Sequence, residues 1–216
     1  YSAEKVRSLY FECHGSGTYT IKYGDEVIAL CLFYGQKHSR EIKSAEDVAA
    51  FYNVKLLTMD LAKIFMYSDC SLLQASKEDI PLVSYAEQLA DKPNGVVSTY
   101  VPFRNGLFLS TAASIALEYG CEVIYYGAHA DDAAGNAYAD CSEAFAKAMY
   151  EAISIGTYEK VKVRTPFVNC NKAEVVKTGL ELNTPYELTW SCYEGKEKPC
   201  GECGTCRDRI KAFEMN

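Results

Sequence analysis

The chain has 216 residues, 49% of them apolar, and a formal net charge of −7. That length suits one medium domain with at most a small appendage, and it can bury a core without covalent staples. The acidic balance argues against a nucleic-acid surface, which needs a basic excess, but leaves room for a nucleotide pocket held by a few local cations. No apolar run approaches the roughly eighteen residues of a membrane span. The opening YSAEKVRSLYF lacks the pattern of a secretory leader, so a cytoplasmic protein is expected.

In chain order, KVRSLYF (5–11) reads as a first strand. EVIALCLFY (26–34) is a nearly continuous apolar run, as in a strand buried on both faces. REIKSAEDVAAFYNV (40–54) places Ile42, Ala45, Val48, Ala49 and Tyr52 at helical spacing. VKLLTMD (54–60) returns to a strand. GLFLSTAASIALEYG (106–120) predicts a helix apolar nearly all round, hence buried, opened by Asn105 and closed by Gly120. CEVIYYG (121–127) is another buried strand. CSEAFAKAMYEAISIG (141–156) predicts a helix with Asp140 as N-cap and Glu143 three residues on. VKVRTPF (161–167) is a strand stopped by Pro166, and NKAEVVKTGLEL (171–182) a helix capped by Asn171 with Glu174 at the third position.

Alternating strands and helices predict an α/β fold, a parallel sheet covered by helices on both faces. In such sheets ligands bind beyond the carboxyl ends of the strands. The segments expected there are GQKHSRE (35–41), TYVPFRN (99–105), GAHADDAAGNAYAD (127–140) and NCNKAE (169–174), each rich in Gly, Asn, Asp or a cation. NTPYELTW (183–190) leads out of this body, so the expected division is 1–186 for the α/β domain and 187–216 for a cysteine-rich segment.

The chain carries ten cysteines. In a reducing compartment clustered thiols bind metal or do chemistry rather than form bridges. Cys31 and Cys121 sit in apolar surroundings and read as core; Cys141, at an expected helix start, is where a thiol could be acidified. Cys192, Cys200, Cys203 and Cys206 are spaced C-x7-C-x2-C-x2-C, with glycines in CGECGTC permitting the tight turns. Four thiolates make a closed tetrahedral site suited to structural zinc, with an iron–sulfur cluster the rival. Arg207, Arg209 and Lys211 follow, either offsetting the site's charge or forming a solvated helix face.

Taken together, ALCLFYGQKHSREI, YVPFRNGLFLS, GAHADDAAGNAYADCSEAF, TPFVNCNKAEVVKTG and CYEGKEKPCGECGTC resemble the 7-cyano-7-deazaguanine synthase family of the ATP pyrophosphatase (PP-loop) superfamily. The resemblance implies an adenine-nucleotide α-hydrolase-like fold with one structural zinc per chain. It implies ATP, with magnesium, as co-substrate, and conversion of 7-carboxy-7-deazaguanine and ammonia to the nitrile 7-cyano-7-deazaguanine through an adenylated intermediate. A homodimer in queuosine or deazapurine biosynthesis would follow, acting on small molecules without direct nucleic-acid or membrane contact.

Carried onto this chain, the resemblance places Tyr34, Gly35, Gln36 and His38 at the adenine and ribose end. Arg104 would meet a phosphate or carboxylate, since its guanidinium fork suits both anions. Asp131, Asp132 and Asp140 would bind magnesium or the amino-pyrimidine edge of the deazaguanine, with capping the competing role, above all for Asp140. Lys172 would pair with phosphate. The catalytic assignments are therefore Arg104, Asp131 and Lys172. The family's phosphate loop, S-G-G-x-D-S before a helix, is not matched in full. HGSGTYTIKYG offers Gly15, Ser16 and Gly17 for phosphate but no Asp-Ser pair, and the four residues between Thr18 and Tyr23 are too few for the expected helix. The reading adopted is that residues at this point of the sequence are missing or misassigned. The alternative is a non-catalytic nucleotide or deazapurine binder of the same fold that has lost the loop. A relative that thiolates or amidates tRNA is disfavoured by the acidic balance.

Overall fold

The computed structural model describes residues 26–90, 96–134 and 137–216, together with the backbone of 7–11. Gly15, Ser16 and Gly17 lie outside the described residues.

Five strands form one sheet in the order β3-β2-β1-β4-β5, every neighbouring pair parallel. They are β1 (Arg7–Phe11), β2 (Glu26–Phe33), β3 (Lys55–Asp60), β4 (Val123–Tyr126) and β5 (Lys162–Arg164). The period-2 alternation of a strand divides the apolar runs between two faces. Ile28, Leu30 and Leu32 of β2 join Ile124 and Tyr126 of β4 in the main core, while Val27, Val123 and Tyr125 form a second cluster with Val54. Both faces are therefore buried, which is why these strands read as continuous hydrophobic runs.

Helix α1 (Arg40–Tyr52) returns the chain from β2 to β3. After a short helix α2 (Tyr85–Ala90), α3 (Arg104–Glu118) precedes β4; α4 (Ala130–Ala133) and α5 (Glu143–Gly156) lie between β4 and β5. The β2–α1–β3 and β4–α5–β5 crossovers step across the sheet in opposite directions. With the usual right-handed connection, that places α1 and α5 on opposite faces. Helix α3 packs into the main core with Leu109, Ala112 and Ala116 fully enclosed, as its all-round apolar sequence required. Helices α6 (Lys172–Glu181) and α7 (Gly204–Glu214) complete the chain.

Three helix starts distinguish local from tertiary signals. Asn171 caps α6 as its sequence indicates: its Oδ1 accepts from Glu174 N–H (2.9 Å) and Glu174 Oε2 accepts from Asn171 N–H (2.8 Å). Helix α5 is capped not by Asp140 but by Ser142, whose Oγ accepts from Phe145 N–H at 3.2 Å, because a 3-10 turn over Ala139–Cys141 delays the first α-turn. Asp140 instead crosses to α3, its Oδ2 accepting from Asn105 N–H at 3.1 Å. Asn105 is correspondingly not a cap but a buried first-turn residue; α3 begins at Arg104, after Phe103 in the left-handed region (φ 53) with its N–H on Tyr100 Oη at 3.0 Å.

Strands β2 and β3 lie on one side of β1, β4 and β5 on the other. The connections diverge between the carboxyl ends of β1 and β4, the switch point at which α/β sheets bind their ligands.

Candidate active site

A cleft opens at this rim and draws on segments remote in sequence: Tyr34 and Glu41 beside β2, Arg104 on α3, His129 after β4, Lys172 on α6 and Trp190 beyond it. The loop after β2 is held tightly. Gly35 takes φ 85, a left-handed turn that glycine adopts at no steric cost. Gln36 Oε1 accepts from Tyr34 N–H (2.9 Å), and its Nε2 donates to Glu41 Oε2 (3.3 Å). The backbone pairs with a second loop: Gln74 N–H donates to Gly35 O (2.8 Å) and Lys37 N–H to Leu72 O (2.9 Å). The buried Gln36 side chain thus shapes the loop, while the Tyr34 ring lines the cleft against Phe108 (centroids 5.8 Å apart).

The Arg104 guanidinium lies 4.9 Å from the Tyr34 ring centre and 5.8 Å from that of Phe108, a cation over aromatic faces. Glu41 is close enough to feel it. Burial pushes the Glu41 carboxyl above its usual range, opposed by His38, Arg104 and the Gln36 hydrogen bond. His38 packs so closely on Gly195 (φ 62) of the cysteine-rich segment that a Cβ there would collide with it.

On the far side, Asp131 Oδ2 accepts from Lys172 N–H at 2.7 Å and Ala130 N–H donates to Cys170 O at 2.8 Å, fastening the loop after β4 to the start of α6. Asp131 is exposed; its neighbour Asp132 is buried, with Oδ2 3.3 Å from His129 Nε2. His129 is 1% exposed, and burial lowers its pKa, with Asp132 acting in the opposite sense. Lys172 is 7% exposed and lines the cleft, yet its buried Nζ has no hydrogen-bond partner among the described residues. A buried ammonium in that state is poised for an anion. The structure therefore brings Tyr34, Gln36, Arg104 and Lys172 to one cleft, with Asp131 fixing the turn that carries the lysine. Glu41, His129 and Trp190 join them without a local signal that singled them out.

Below the cleft, Cys192, Cys200, Cys203 and Cys206 converge with all four Sγ atoms within 4.8 Å of one another. Around one ion with metal–sulfur bonds of about 2.3 Å, tetrahedral sulfurs stand about 3.8 Å apart, so the donor set fits a single metal. Backbone amides are already turned onto the sulfurs: Cys200 N–H on Cys192 Sγ (3.3 Å), and Cys203 and Glu202 N–H on Cys200 Sγ (3.3 and 3.4 Å). Burial raises the Cys200 thiol, but these amides and the neighbouring cysteines bring it down to about 7, whereas burial drives Cys206 upward. Cys203 stands at the N-cap of α7 and Cys206 in its first turn, where the helix dipole favours thiolate. Among the described residues no disulfide forms; Cys121 and Cys141 are buried, Cys141 accepting from Asn105 Nδ2 at 3.3 Å.

A doubly covered parallel sheet, a cleft at its switch point and a four-cysteine metal site define an α/β ligand-binding protein with an appended metal module. Residues 16–216 match the family model for queuosine biosynthesis protein QueC, and the chain belongs to that family. A protein named 7-cyano-7-deazaguanine synthase in Archaeoglobus fulgidus is 42% identical over 199 residues, covering 92% of this chain and 80% of that one. Proteins of the same name are 39% identical in Thermoplasma volcanium (90% of this chain, 79% of that one) and 40% identical in Hahella chejuensis (91% and 81%). Among solved structures, the U34-tRNA thiolase NcsA of Methanococcus maripaludis, with its 4Fe-4S cluster, aligns at a TM-score of 0.49 and 14% identity over 99% of this chain and 66% of that one. So loose a likeness transfers no chemistry. Among the described residues no helix is long and apolar enough to cross a membrane.

Proposed function

We propose that this protein is a cytoplasmic ligase that makes 7-cyano-7-deazaguanine from 7-carboxy-7-deazaguanine, ammonia and magnesium-bound ATP, working as a homodimer with residues 187–216 as its zinc segment. The observation that carries the reading is the convergence on one cleft of Arg104 and the buried Lys172, whose Nζ has no hydrogen-bond partner among the described residues, in a chain whose relatives bear the synthase name.

The chemistry needs what these residues offer. A carboxylate is a poor acyl donor until one of its oxygens attacks the α-phosphorus of ATP and pyrophosphate leaves. Ammonia then displaces AMP from the acyl-adenylate to give the amide. A second activation on the amide oxygen, followed by loss of AMP and of the nitrogen protons, gives the nitrile. Both carboxylate oxygens thus end in AMP. Arg104 stays cationic at any working pH and would hold the carboxylate or α-phosphate. Lys172 would neutralise phosphate in a site shielded from water. Asp131 would act by fixing the helix turn that carries Lys172. Tyr34 would meet a base, with Gly35, Gln36 and His38 shaping that end of the cleft. Gly15, Ser16 and Gly17, which come after β1 in the sequence, would contact phosphate. The sulfur spacing favours zinc over a four-iron cluster, which would spread its thiolates one to each iron.

Protein from the whole gene, given ATP, ammonium and substrate labelled with oxygen-18 in its carboxylate, should release labelled AMP and the nitrile. ATP binding without AMP release would establish the non-catalytic binder instead, and absence of binding by either ligand would sink the reading.

A further inference from the structure

The cysteine-rich segment does more than close a metal site. Trp190, Ser191, Tyr193, Arg209 and Phe213 all line the active-site cleft, so one wall is built from the segment that carries the four cysteines. That wall is tied to the metal ligands residue by residue. Trp190 Nε1–H donates to the carbonyl of Cys192 at 2.8 Å, which fixes the indole plane to a ligand's own backbone. Thr205, between Cys203 and Cys206, is 1% exposed, and its Oγ1 donates to Ser191 O at 2.6 Å. One helical turn beyond Thr205, Arg209 Nη2 donates to Tyr186 O (2.9 Å) and Thr189 Oγ1 (2.8 Å), stitching α7 to the segment of chain that enters the wall. From behind, the hydroxyls of Tyr193 and Tyr85 share a hydrogen bond of 2.7 Å. From helix α1, the Arg40 guanidinium sits 4.8 Å from the Trp190 ring centre while its Nη2 donates to Glu197 O at 2.9 Å.

We propose that the metal loop is a wall of the ligand cleft and that its metal sets the wall's shape, so that metal occupancy controls binding of the planar nucleobase ligands. The aromatic and guanidinium groups of this wall suit a flat heterocycle, and removing the metal lets them move apart while the sheet and its helices stay folded. Trp190, Thr205 and Arg209 are then positioning residues whose effect on ligands runs through the metal loop. This rests on the functional reading given above.

Trp190 is the one tryptophan in these 216 residues, so its emission reports on this wall. The full-length, metal-loaded protein is titrated with ATP and, separately, with 7-carboxy-7-deazaguanine, following Trp190 fluorescence and calorimetric heat. The titrations are repeated after chelation, with circular dichroism to check that helix content persists, and again after zinc is restored. The expected result is a Trp190 response to at least one ligand, weakened at least tenfold by metal removal and recovered with zinc. Equal affinity in the folded, metal-free protein overturns the proposal, as does binding heat with no Trp190 response in the loaded protein. No binding of either ligand to the loaded protein instead overturns the functional reading, and the proposal with it. Should chelation unfold the chain, Thr205→Val serves: it keeps all four cysteines and cuts the Ser191 tether. Metal content unchanged with a severalfold rise in Kd supports the proposal, and an unchanged Kd refutes it.

Discussion

Replacing Lys172 with methionine should make the free protein more stable and a worse binder. The side chain is 7% exposed, and its buried Nζ has no hydrogen-bond partner among the described residues. An unsatisfied buried polar group costs about 1–3 kcal/mol, more when charged. Attraction to Asp208, felt in that carboxyl's own balance of burial against Lys172, offsets part of the cost. Methionine keeps the unbranched stem and removes the ammonium, so a gain of about 2 kcal/mol is expected, or about 4–8 °C in Tm for a chain of this size. An anion in the cleft would lose a charge-assisted hydrogen bond of about 1.5–3 kcal/mol, which is about 10- to 100-fold in Kd. Calorimetric melting without ligand, paired with ATP titration of wild type and Lys172→Met, measures both. A lower Tm in the variant together with an unchanged Kd would refute the argument, because the ammonium would then be satisfied in the free protein and idle in the complex.

Asn171→Ala removes one half of the capping box on α6 and should cost about 1 kcal/mol, seen as a lower urea midpoint at unchanged slope. Gly195→Ala should cost about 1–3 kcal/mol and loosen metal binding, since the new Cβ meets His38 as well as a φ of 62. Gly201→Ala, at φ 77 with open space around it, should cost only the left-handed conformation, about 1 kcal/mol; equal losses at the two sites in a thermal melt would count against the His38 contact. Burial holds the His129 pKa below its unfolded value, with Asp132, Lys172, Asp131 and Asp208 around it. The unfolded chain therefore binds the extra proton first, and stability should fall as pH drops through the window below the ordinary histidine value of about 6.5. His129→Gln should flatten that part of the profile in melts between pH 8 and 5, and a slope identical to wild type would exclude His129 as its source.

What the sequence announced and what it withheld follow from the range of the interactions. The strands at 26–33 and 123–126 are legible because both sheet faces are covered, so neither strand has a polar side. The capping box at Asn171 is legible because its two bonds close within three residues. Asp140 looked like a cap by the same rule, but its partner Asn105 lies 35 residues earlier, and no local pattern carries such a contact. The cysteine site was plain from spacing, since two C-x-x-C turns bring their own sulfurs together. The cleft was legible in part. Arg104 and Lys172 stand out as cations in rim segments, but Glu41 reads as one more charge on an amphipathic helix and becomes a cleft residue only when Gln36 turns back to meet it. In the acidic pair, the exposed Asp131 braces the lysine's helix while Asp132 is the buried partner of His129, a distinction the sequence DD does not contain. The segment 61–84 offered no period to read, and it folds as turns and a 3-10 helix pinned by backbone contacts to the loop after β2.

The central place of β1 has a consequence for how the chain comes off the ribosome. Its two partners are β2, which follows it closely, and β4, which begins at Val123. While the intervening chain is being made, β1 can pair on one side only, and its other edge presents unpaired amides and carbonyls to anything nearby. The nascent chain therefore passes through a stage with an open parallel edge that closes only when β4 emerges, and the long-range pairing makes that closure slow. Synthesis at low temperature or with a chaperone that shields strand edges should raise the soluble yield more than any change at the protein's finished surface.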